Sequence, residues 1–390
     1  DCLLSRGLGD VYKRQRKGGV HRFEEPLKQG MKDRGYPAEF ADRIFQQMLG
    51  FGEYGFPESH AHSFALLAYA SSWLKCHEPA CFLAALLNSL PMGFYSASQL
   101  VQDARRHGVR VLPIDVTVSD IDCTLEGNPE PLRPARGLGA PPLPQPAVRL
   151  GLRMVSSLHT DAAKRLLHAR ATGPAFATTE DLALRAQLSQ QDLQALAAAD
   201  ALASLSGHRR QQMWDAAAQH SAPPLWRDVP VHEAPLQLPE APEGEEILFD
   251  YAATGLTLRR HPLALLRPRL ARWRLQTALQ LHSAAHGRKV RACGIVTVRQ
   301  RPGTAKGTMF VTLEDETGPV NVIVWPALVD VWRNALLRSQ LLAVEGVWQC
   351  SAGPPGSTAV VRHLVAQRFK DLTPLLGRMG QALQGSRDFH

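Results

Sequence analysis

A short polar cluster precedes a long apolar segment near the start of the chain. Glu58, Ser59, His60 and His62 lie in or beside a Gly/Pro-rich turn, and the segment that follows, up to Ser89, is almost entirely apolar. A serine and a histidine at the mouth of a helix can position a charged ligand, but a serine there can equally serve as the N-cap. The sequence alone leaves both interpretations open.

Three aspartates occur close together in the segment IDVTVSDID, at Asp115, Asp120 and Asp122. Two carboxylates one residue apart on a strand share a face, and such a pair can hold the metal ions of a nucleotidyl transferase. The neighbouring sequence offers no phosphate-binding loop or basic clamp, and aspartate is common in turns. We therefore reject a catalytic metal pair here.

The six cysteines are scattered and form no CxxC motif. This spacing argues against a disulfide framework and against a zinc ribbon. A zinc site in the apolar segment is also rejected, because Cys76 and Cys81 lie on either side of Pro79 in one buried run. We predict free thiols and no metal in this chain.

Composition points to a globular protein with an anionic partner. The chain has 390 residues with 45% hydrophobic content, enough for two or three domains. Lys and Arg number 44 against 36 Asp and Glu, a net charge of +8, and arginine, which suits phosphate oxygens, outnumbers lysine. No apolar run is long enough to span a membrane and no signal-type core begins the chain, so we predict a cytoplasmic protein without membrane contact.

Helical patterns dominate the first part of the chain. Residues 37–49 form an amphipathic pattern, residues 59–76 and 80–89 are apolar on all sides, and Ser96 with Gln99 has the form of a capping box. A helix that is apolar on all sides is typical of a core. We predict that residues 59–76 form a buried central helix.

Short helices with polar starts follow a Pro/Gly-rich stretch. Two segments, SLHTDAAKRLL and SLSGHRRQQMW, each place a turn before a basic helix, as helix-hairpin-helix modules do. Backbone N–H groups at such helix starts can bind DNA phosphates without reading sequence. The basic candidates are Lys164, Arg165, Arg209 and Arg210. A plain helical spacer with solvated arginines is the alternative.

The hydrophobic period changes to two after residue 289. Five strand patterns with one helix, residues 327–337, between the third and fourth predict an OB-fold. Such folds bind single-stranded nucleic acid through stacking aromatics and a basic groove. The stacking candidates are Phe310 and Trp325, although Trp325 in the barrel core is an alternative. The basic candidates in the first hairpin loop are Arg299, Arg301 and Lys306.

Several long motifs carry a resemblance. A close resemblance to the error-prone branch of the bacterial C-family DNA polymerases is carried by four segments. They are GFGEYGFPESHAHSFALLAYASSWLKCHEPACFLAALLNSLPMGFYSASQLVQDARRHGVRVLPIDVTVSDIDCTLE, ATGLTLRRHPLALLRP, VRQRPGTAKGTMFVTLEDETGPVNVIVWP and the terminal SRDFH. These polymerases are relatives of the replicative DNA polymerase III alpha subunit. The match covers nearly everything after Arg16.

The resemblance implies a place in a larger enzyme. In that family a PHP domain, palm, thumb and fingers precede a tandem helix-hairpin-helix and an OB-fold, so this chain would begin inside the fingers. Ser59, His60 and Lys75 would then face the cleft that holds primer-template DNA and the incoming deoxynucleoside triphosphate. The full-length enzyme would use Mg²⁺ bound by the palm, and this chain alone would hold no metal and not polymerise.

The resemblance also implies a role and partners. The parent enzyme would extend DNA across damaged templates in translesion synthesis and repair, together with a catalytically inactive Y-family polymerase relative and a RecA-like accessory protein. Two departures from the family pattern are His62, at a position that is usually small, and VSSLHT, which lacks the usual hairpin glycine. A non-catalytic DNA-binding module, as in a DNA ligase, and a partner-docking scaffold are the alternatives.

The predicted fold class is multidomain α+β, with a mostly α-helical fingers portion and tandem helix-hairpin-helix followed by an all-β OB-fold. The predicted boundaries are a non-native lead-in at 1–15, fingers at 16–125, a linker at 126–147, helix-hairpin-helix at 148–220, a linker and helical connector at 221–286, the OB-fold at 287–372 and a tail at 373–390.

Overall fold

The computed structural model describes residues 24–54, 58–93, 95–130, 144–218, 236–352, 360–382 and 387–389. The chain divides into two units, residues 1–74 and 75–390, and each is described by itself. No helix in the described ranges has the length and apolarity needed to cross a membrane.

The first unit contains two amphipathic helices, α1 (Glu24–Lys32) and α2 (Ala38–Tyr54). The apolar face of α2 buries Phe45, which is among the largest fully buried side chains. Lys28 of α1 forms an ion pair with Asp42 of α2, with a nitrogen–oxygen distance of 2.7 Å. The helix predicted at residues 37–49 is confirmed and continues to Tyr54.

The long apolar helix is exposed, which contradicts the sequence prediction. Helix α3 (Glu58–His77) spans the expected residues, but every side chain described in it, from His62 onward, is exposed; Tyr69 is 72% exposed. A helix that is apolar on all sides needs neighbours on all sides to be buried. The described elements do not cover it, so the prediction of a buried core helix is wrong for this structure.

The second unit begins with a helix pair and a small sheet. Helix α4 (Pro79–Asn88) is followed by α5 (Ala97–Arg106), whose N-cap Ser96 forms the predicted capping box with Gln99. The sheet has the order β1-β3-β2. Its strands are β1 (Val111–Leu112), β2 (Thr124–Glu130) and β3 (Gln145–Arg149).

The aspartates of the IDVTVSDID segment lie in the loop between β1 and β2, and not on a strand. Asp120 pairs with Arg170 at 2.8 Å, and Asp122 pairs with Arg153 at 2.7 Å. Their carboxylates therefore hold later elements in place, which agrees with rejecting them as a metal pair.

Five short helices and a three-helix connector follow. The helices are α6 (Thr160–Thr172), α7 (Thr179–Arg185), α8 (Gln190–Ala198), α9 (Ala203–Ser206) and α10 (Arg209–Ala218). The connector helices are α11 (Glu243–Thr254), α12 (Pro262–Arg272) and α13 (Ala278–His282). Thr178 and Ser189 cap α7 and α8 through their side chains, as the polar starts of these helices indicate.

The C-terminal strands form a closed barrel. They are β4 (Lys289–Gln300), β5 (Met309–Asp315), β6 (Gly318–Val324), β7 (Leu341–Ala352) and β8 (Val360–Asp371). The order β5-β6-β8-β7-β4, with β4 also paired to β5, closes the barrel. This arrangement confirms the predicted OB-fold, and its interior is filled by a cluster of buried side chains that includes Val311, Val322 and Trp348.

Two details of the barrel differ from the sequence prediction. The single helix expected between the third and fourth strands is two short helices, α14 (Pro326–Val331) and α15 (Arg333–Arg338), which meet at Trp332. After the short helix α16 (Met379–Ala382), strand β9 (Arg387–Phe389) pairs in parallel with the end of β4. The C-terminal segment is therefore part of the sheet and not only a tail.

The start of helix α12 gives a prediction about pH. His261 is buried, and its Nδ1 accepts a hydrogen bond from the Leu263 N–H at 3.2 Å. Burial lowers the pKa of His261 to about 4. Because the unfolded state holds a proton on this residue below about pH 6.5, the stability that neutral His261 provides should be lost between about pH 6.5 and pH 4, by roughly 3 kcal/mol.

The matched variant is His261→Asn, which keeps a good N-cap but does not titrate. In urea unfolding at pH 7, 5 and 4, the wild-type chain should lose stability relative to His261→Asn as the pH falls. A stability difference between the two proteins that is constant with pH would contradict this assignment.

Candidate functional site

The first helix-hairpin-helix segment, SLHTDAAKRLL, begins with a turn that we call the first hairpin. This turn adopts a left-handed conformation without a glycine. Ser157 has a φ of 66°, and helix α6 begins three residues later with His159 as N-cap. Among the described side chains, none caps the first-turn N–H groups of α6. Donors at a helix start that lack a cap are suited to bind phosphate oxygens.

The two basic residues predicted to bind DNA at this hairpin, Lys164 and Arg165, differ in whether their charged groups are free to contact a phosphate. Lys164 is well exposed, and its one ion pair within the described ranges is with the neighbouring Asp161, at 3.2 Å. Such a surface pair contributes little, so a phosphate can replace it. Arg165 instead donates from Nε and Nη2 to the carbonyl oxygens of Ala186 and Gln187, both at 3.1 Å. Arg165 therefore ties α6 to the turn after α7.

The second hairpin turn contains Gly207, with a φ of 71°, directly before helix α10. Arg209, at the start of that helix, is only 2% exposed. Its Nη2 lies 2.5 Å from Asp250 Oδ1 and its Nη1 lies 2.9 Å from Glu246 Oε2. A guanidinium that is enclosed and bound to two carboxylates cannot reach a phosphate, so the prediction that Arg209 grips DNA is wrong.

Arg209 belongs to a group that we call the arginine–carboxylate cluster, made of Asp200, Arg209, Glu246, Asp250 and Arg259. Arg259 pairs with Asp200 and with Asp250, both at 2.9 Å. Burial raises the pKa of Glu246, and the positive charges of the two arginines oppose that effect. The cluster joins the second hairpin to helix α11 and to the residues after it.

Arg210 is also engaged within the protein. Its Nη2 lies 2.8 Å from Glu245 Oε2, and its Nη1 donates to the Pro239 carbonyl oxygen at 3.3 Å. The side chain is still partly exposed. Phosphate binding by Arg210 would therefore compete with these contacts, and its DNA role stays a prediction.

Arg299 is buried, contrary to its predicted place in a DNA-binding loop. It lies near the end of strand β4, and its Nε and Nη2 donate to the carbonyl oxygens of Leu336 and Ser339, both at 2.5 Å. These carbonyls lie at the C-terminal end of α15, where a positive charge is stabilising. Arg299 therefore anchors a helix end, and the prediction that it binds DNA is wrong.

The other two basic residues of the loop between β4 and β5 are accessible. Arg301 and Lys306 are exposed, and Lys306 adopts the left-handed conformation with a φ of 48°. In the described part of the chain, neither forms an ion pair with a carboxylate. Their proposed phosphate contacts remain predictions with a suitable geometry.

An apolar row crosses the outer face of the barrel. Phe310 on β5 lies opposite Ile323 on β6, Ile323 lies opposite Val365 on β8, and Val365 lies opposite Val347 on β7. Phe310 is 37% exposed. An exposed aromatic within an apolar row provides a stacking surface for bases.

Trp325 lies next to this row, at the end of β6, where it is the N-cap of α14. It is 53% exposed, so the alternative that it sits in the barrel core is wrong. Phe310 and Trp325 are thus both accessible on the face that also bears the loop of Arg301 and Lys306.

Of the three residues predicted to face a nucleotide cleft, the structure describes the side chain of one, Lys75. The backbone of Ser59 and His60 is helical in α3, but their side chains lie outside the described residues. Lys75, near the end of the same helix, is exposed and pairs with Asp103 of α5 at 2.8 Å. The cleft role of all three stays a prediction.

Family models match both regions that the sequence analysis singled out. Residues 108–212 match a helix-hairpin-helix motif, and residues 290–372 match an OB-fold nucleic acid binding domain. Together with the hairpin turns and the closed barrel, these matches define the second unit as a helix-hairpin-helix region followed by an OB-fold.

The chain is similar to proteins named error-prone DNA polymerase. It is 55% identical over 377 residues to the error-prone DNA polymerase of Burkholderia pseudomallei, covering 96% of this chain and 33% of that protein. It is 52% identical over 383 residues to the one of Methylococcus capsulatus, covering 96% of this chain and 35% of that protein. The resemblance seen in the sequence is confirmed, and the chain spans about a third of the length of these relatives.

Solved structures overlap only in part. Asparaginyl-tRNA synthetase from Pyrococcus horikoshii is 23% identical and matches 22% of this chain and 20% of its own, with a TM-score of 0.18. A TM-score of that size does not indicate a shared overall fold.

The structure also adds residues that the sequence analysis missed. Ile323 and Val365 extend the stacking surface, and His159 lies 2.9 Å from Asp192 at the start of α6. The strand alternation could have placed Ile323 beside Phe310, because outward positions repeat every two residues. The parallel neighbour Val365 could not be found that way, since its register depends on the barrel closure.

The first hairpin gives a stability prediction. Ser157→Gly should raise the free energy of unfolding by about 0.5 to 1 kcal/mol, because relief of a left-handed serine outweighs the added freedom of the unfolded chain. The neighbouring Ser156→Gly, which has no positive φ to relieve, should instead lower it. Urea unfolding of both variants checks this; destabilisation by Ser157→Gly would contradict it.

Two neighbouring arginines at the end of β4 have different predicted roles: Arg299 stabilises the fold, and Arg301 binds single-stranded DNA. Arg299→Met should lower the free energy of unfolding by about 1 to 3 kcal/mol, because it leaves buried carbonyls without donors. Arg301→Gln should leave stability nearly unchanged and reduce the salt dependence of single-strand binding by about 0.7 in log–log slope. Denaturation and fluorescence-anisotropy titrations measure the two effects; the reverse pattern would contradict both placements.

Proposed function

We propose that this chain is the DNA-binding part of an error-prone DNA polymerase that extends DNA from deoxynucleoside triphosphates in damage-induced translesion synthesis and repair. The observation that carries this proposal is the 55% identity over 96% of the chain to a protein of that name. Similarity this high, over both the helical and the barrel regions, supports a common role.

The two surfaces suggest how DNA is held. The first hairpin offers uncapped N–H groups at the start of α6 beside Lys164, which suits phosphate contact without base readout. The barrel offers Phe310, Trp325 and the cations of the β4–β5 loop, which suits a single strand. We therefore infer that the hairpins hold duplex DNA and that the OB-fold holds the unpaired template.

We further propose that the segment from residue 16 to 125 belongs to the polymerase fingers. Lys75 supports this proposal in part, since its ammonium is exposed at the end of α3 and its ion pair with Asp103 is a surface pair. Ser59, His60 and Lys75 would contact the phosphates of primer, template or incoming nucleotide. Phosphoryl transfer depends on such positioning and charge neutralisation.

Polymerisation also requires divalent metal ions, and we propose Mg²⁺ for the full-length enzyme. Within the described ranges, no group of three or more His, Cys, Asp or Glu side chains could hold a metal ion. The residues described here therefore do not fit a magnesium site. The proposed contribution of this chain is binding and positioning of DNA.

The cellular setting completes the proposal. We place the activity in the cytoplasm and expect two protein partners, a catalytically inactive Y-family polymerase relative and a RecA-like accessory protein. The role of a DNA ligase module receives no support, because the similar proteins are named as polymerases.

A chimera tests the proposed function. This chain should be able to replace the aligned third of the Burkholderia pseudomallei error-prone DNA polymerase, and the chimera should extend a primer past an abasic site with Mg²⁺ and deoxynucleotides. A chimera carrying Ser157→Pro, which cannot adopt a positive φ, should bind duplex DNA less tightly. A folded chimera without primer extension would refute the proposal.

A further inference from the structure

A second basic groove lies where the helical connector meets the barrel, and we call it the connector groove. Its two adjoining parts have volumes of about 380 Å³ and 590 Å³. Leu275, Arg291 and Glu345 line both parts. Volumes of this size lie in the range of small-ligand sites.

The register of three strands gives the groove its charge. Arg291 on β4 lies opposite Glu345 on β7, and Glu345 lies opposite Arg368 on β8. Because side chains two residues apart share a face of a strand, Lys289 and Lys370 lie on the same side as these residues. The groove face thus carries four cations around one carboxylate.

Most of this positive charge is not neutralised. Glu345 is the only acidic residue that lines the groove among the described residues, and it is bound to Arg291 at 2.8 Å. The remaining cations at the groove, which form no ion pair with any carboxylate in the described ranges, are Arg274, Arg288, Lys289, Arg368 and Lys370. The groove therefore has an excess of positive charge that suits a polyanion.

An exposed tryptophan stands at the same groove. Trp273 is 38% exposed, with Arg269 at 5.6 Å and Lys370 at 5.3 Å from its ring centroid. Cations over an indole ring are attracted to its π-face. A nucleobase that displaces one of these cations can stack on the ring, and the displaced cation can then contact a phosphate.

The backbone around Trp273 is fixed by the barrel. Trp273 is the C-cap of helix α12, Arg274 takes a left-handed conformation with a φ of 57°, and Leu275 is buried. The Gln276 N–H then donates to the Arg291 carbonyl oxygen at 2.8 Å. This turn holds the indole at the groove before any ligand arrives, which lowers the ordering cost of binding.

The connector groove adjoins the end of the apolar row that is farthest from Phe310, because Lys289 lies opposite Val347 of that row. Lys289 and Arg291 lie near the start of β4, whereas Gln300, which pairs with Phe310, lies at its other end. Ten residues of strand separate the two ends, about 30 Å of chain. Neither Arg301 nor Lys306 lines the groove.

We propose that the connector groove is a second binding site for single-stranded nucleic acid, with a base stacked on Trp273 and phosphates held by Arg274, Arg288, Lys289 and Arg368. This site rests on the proposed function, because it extends the path of the template strand beyond the Phe310 face. The exposed indole favours nucleic acid over an acidic peptide, which would use the cations but has no base to stack.

The test uses the full 390-residue chain and a fluorescent oligothymidylate containing 5-iododeoxyuridine. Trp273→Leu should weaken binding about 10-fold, a loss within the range known for one stacked base. The triple variant Arg274→Gln, Arg288→Gln, Arg368→Gln should reduce the log–log salt slope by about 2. Photocrosslinks mapped by mass spectrometry should fall on or next to Trp273.

Matched controls separate this site from general charge effects. Arg34→Gln, Arg43→Gln and Arg260→Gln together remove the same charge from exposed positions outside the groove, and they should leave the slope nearly unchanged. Circular dichroism and melting temperatures establish that each variant is folded. Arg301→Gln should lower the slope additively with the groove variants, because Arg301 follows the other end of β4 and does not line the groove.

Three results would overturn the inference. One is unchanged affinity and salt slope in folded groove variants. A second is loss of poly-glutamate binding by these variants with oligothymidylate binding intact, which would indicate an acidic protein partner. The third is a wild-type chain that does not bind oligothymidylate. If the polymerase chimera is active in any of these cases, the proposed function stands and the connector groove is not a DNA site. If the chimera fails to extend a primer while the groove binds DNA, the connector groove stands as a binding site and the proposed function fails.

Discussion

The arginine–carboxylate cluster is the interaction on which the arrangement of the second unit depends. Two guanidinium groups, Arg209 and Arg259, meet three carboxylates that come from the turn after α8 and from helix α11. Charges buried in this way are costly unless each finds its partners, and removing one partner leaves the others uncompensated. The cluster is therefore satisfied only when the second hairpin and the connector come together in one geometry.

The same principle extends from the connector to the barrel. Arg267 of α12 lies 2.5 Å from Glu316 in the turn between β5 and β6, and Arg106 of α5 lies 3.1 Å from Glu314 of β5. Burial raises the pKa of Glu314, and the charge of Arg106 opposes this effect. Helical region, connector and barrel are thus joined by ion pairs at successive junctions, and this fixes the directions in which the hairpins and the OB-fold present their exposed cations.

The elements of the fold could be predicted from local patterns, whereas the environment of individual side chains could not. The capping box of Ser96, the cap of Thr178 and the five barrel strands depend on nearby residues, and all are present. Arg209 and Arg299 look like any other basic residue in the sequence, because their partners lie tens of residues away. The exposure of α3 was not predicted for a related reason. The apolar composition of a helix indicates that its burial is favourable, but it does not show whether other elements pack against it.

Net charge alone is therefore a poor guide to where this chain binds DNA. The excess of +8 counts buried and exposed arginines alike, although only cations without an internal partner can release counterions from a nucleic acid. Arg209, Arg259, Arg267 and Arg299 are used to hold elements together. Among the cations that do not join elements, those proposed to contact DNA lie at three places: Lys164 beside the first hairpin, the β4–β5 loop, and the connector groove. Because the ion-paired junctions set the relative placement of these three surfaces, the arginines that never touch DNA determine the path that it can take.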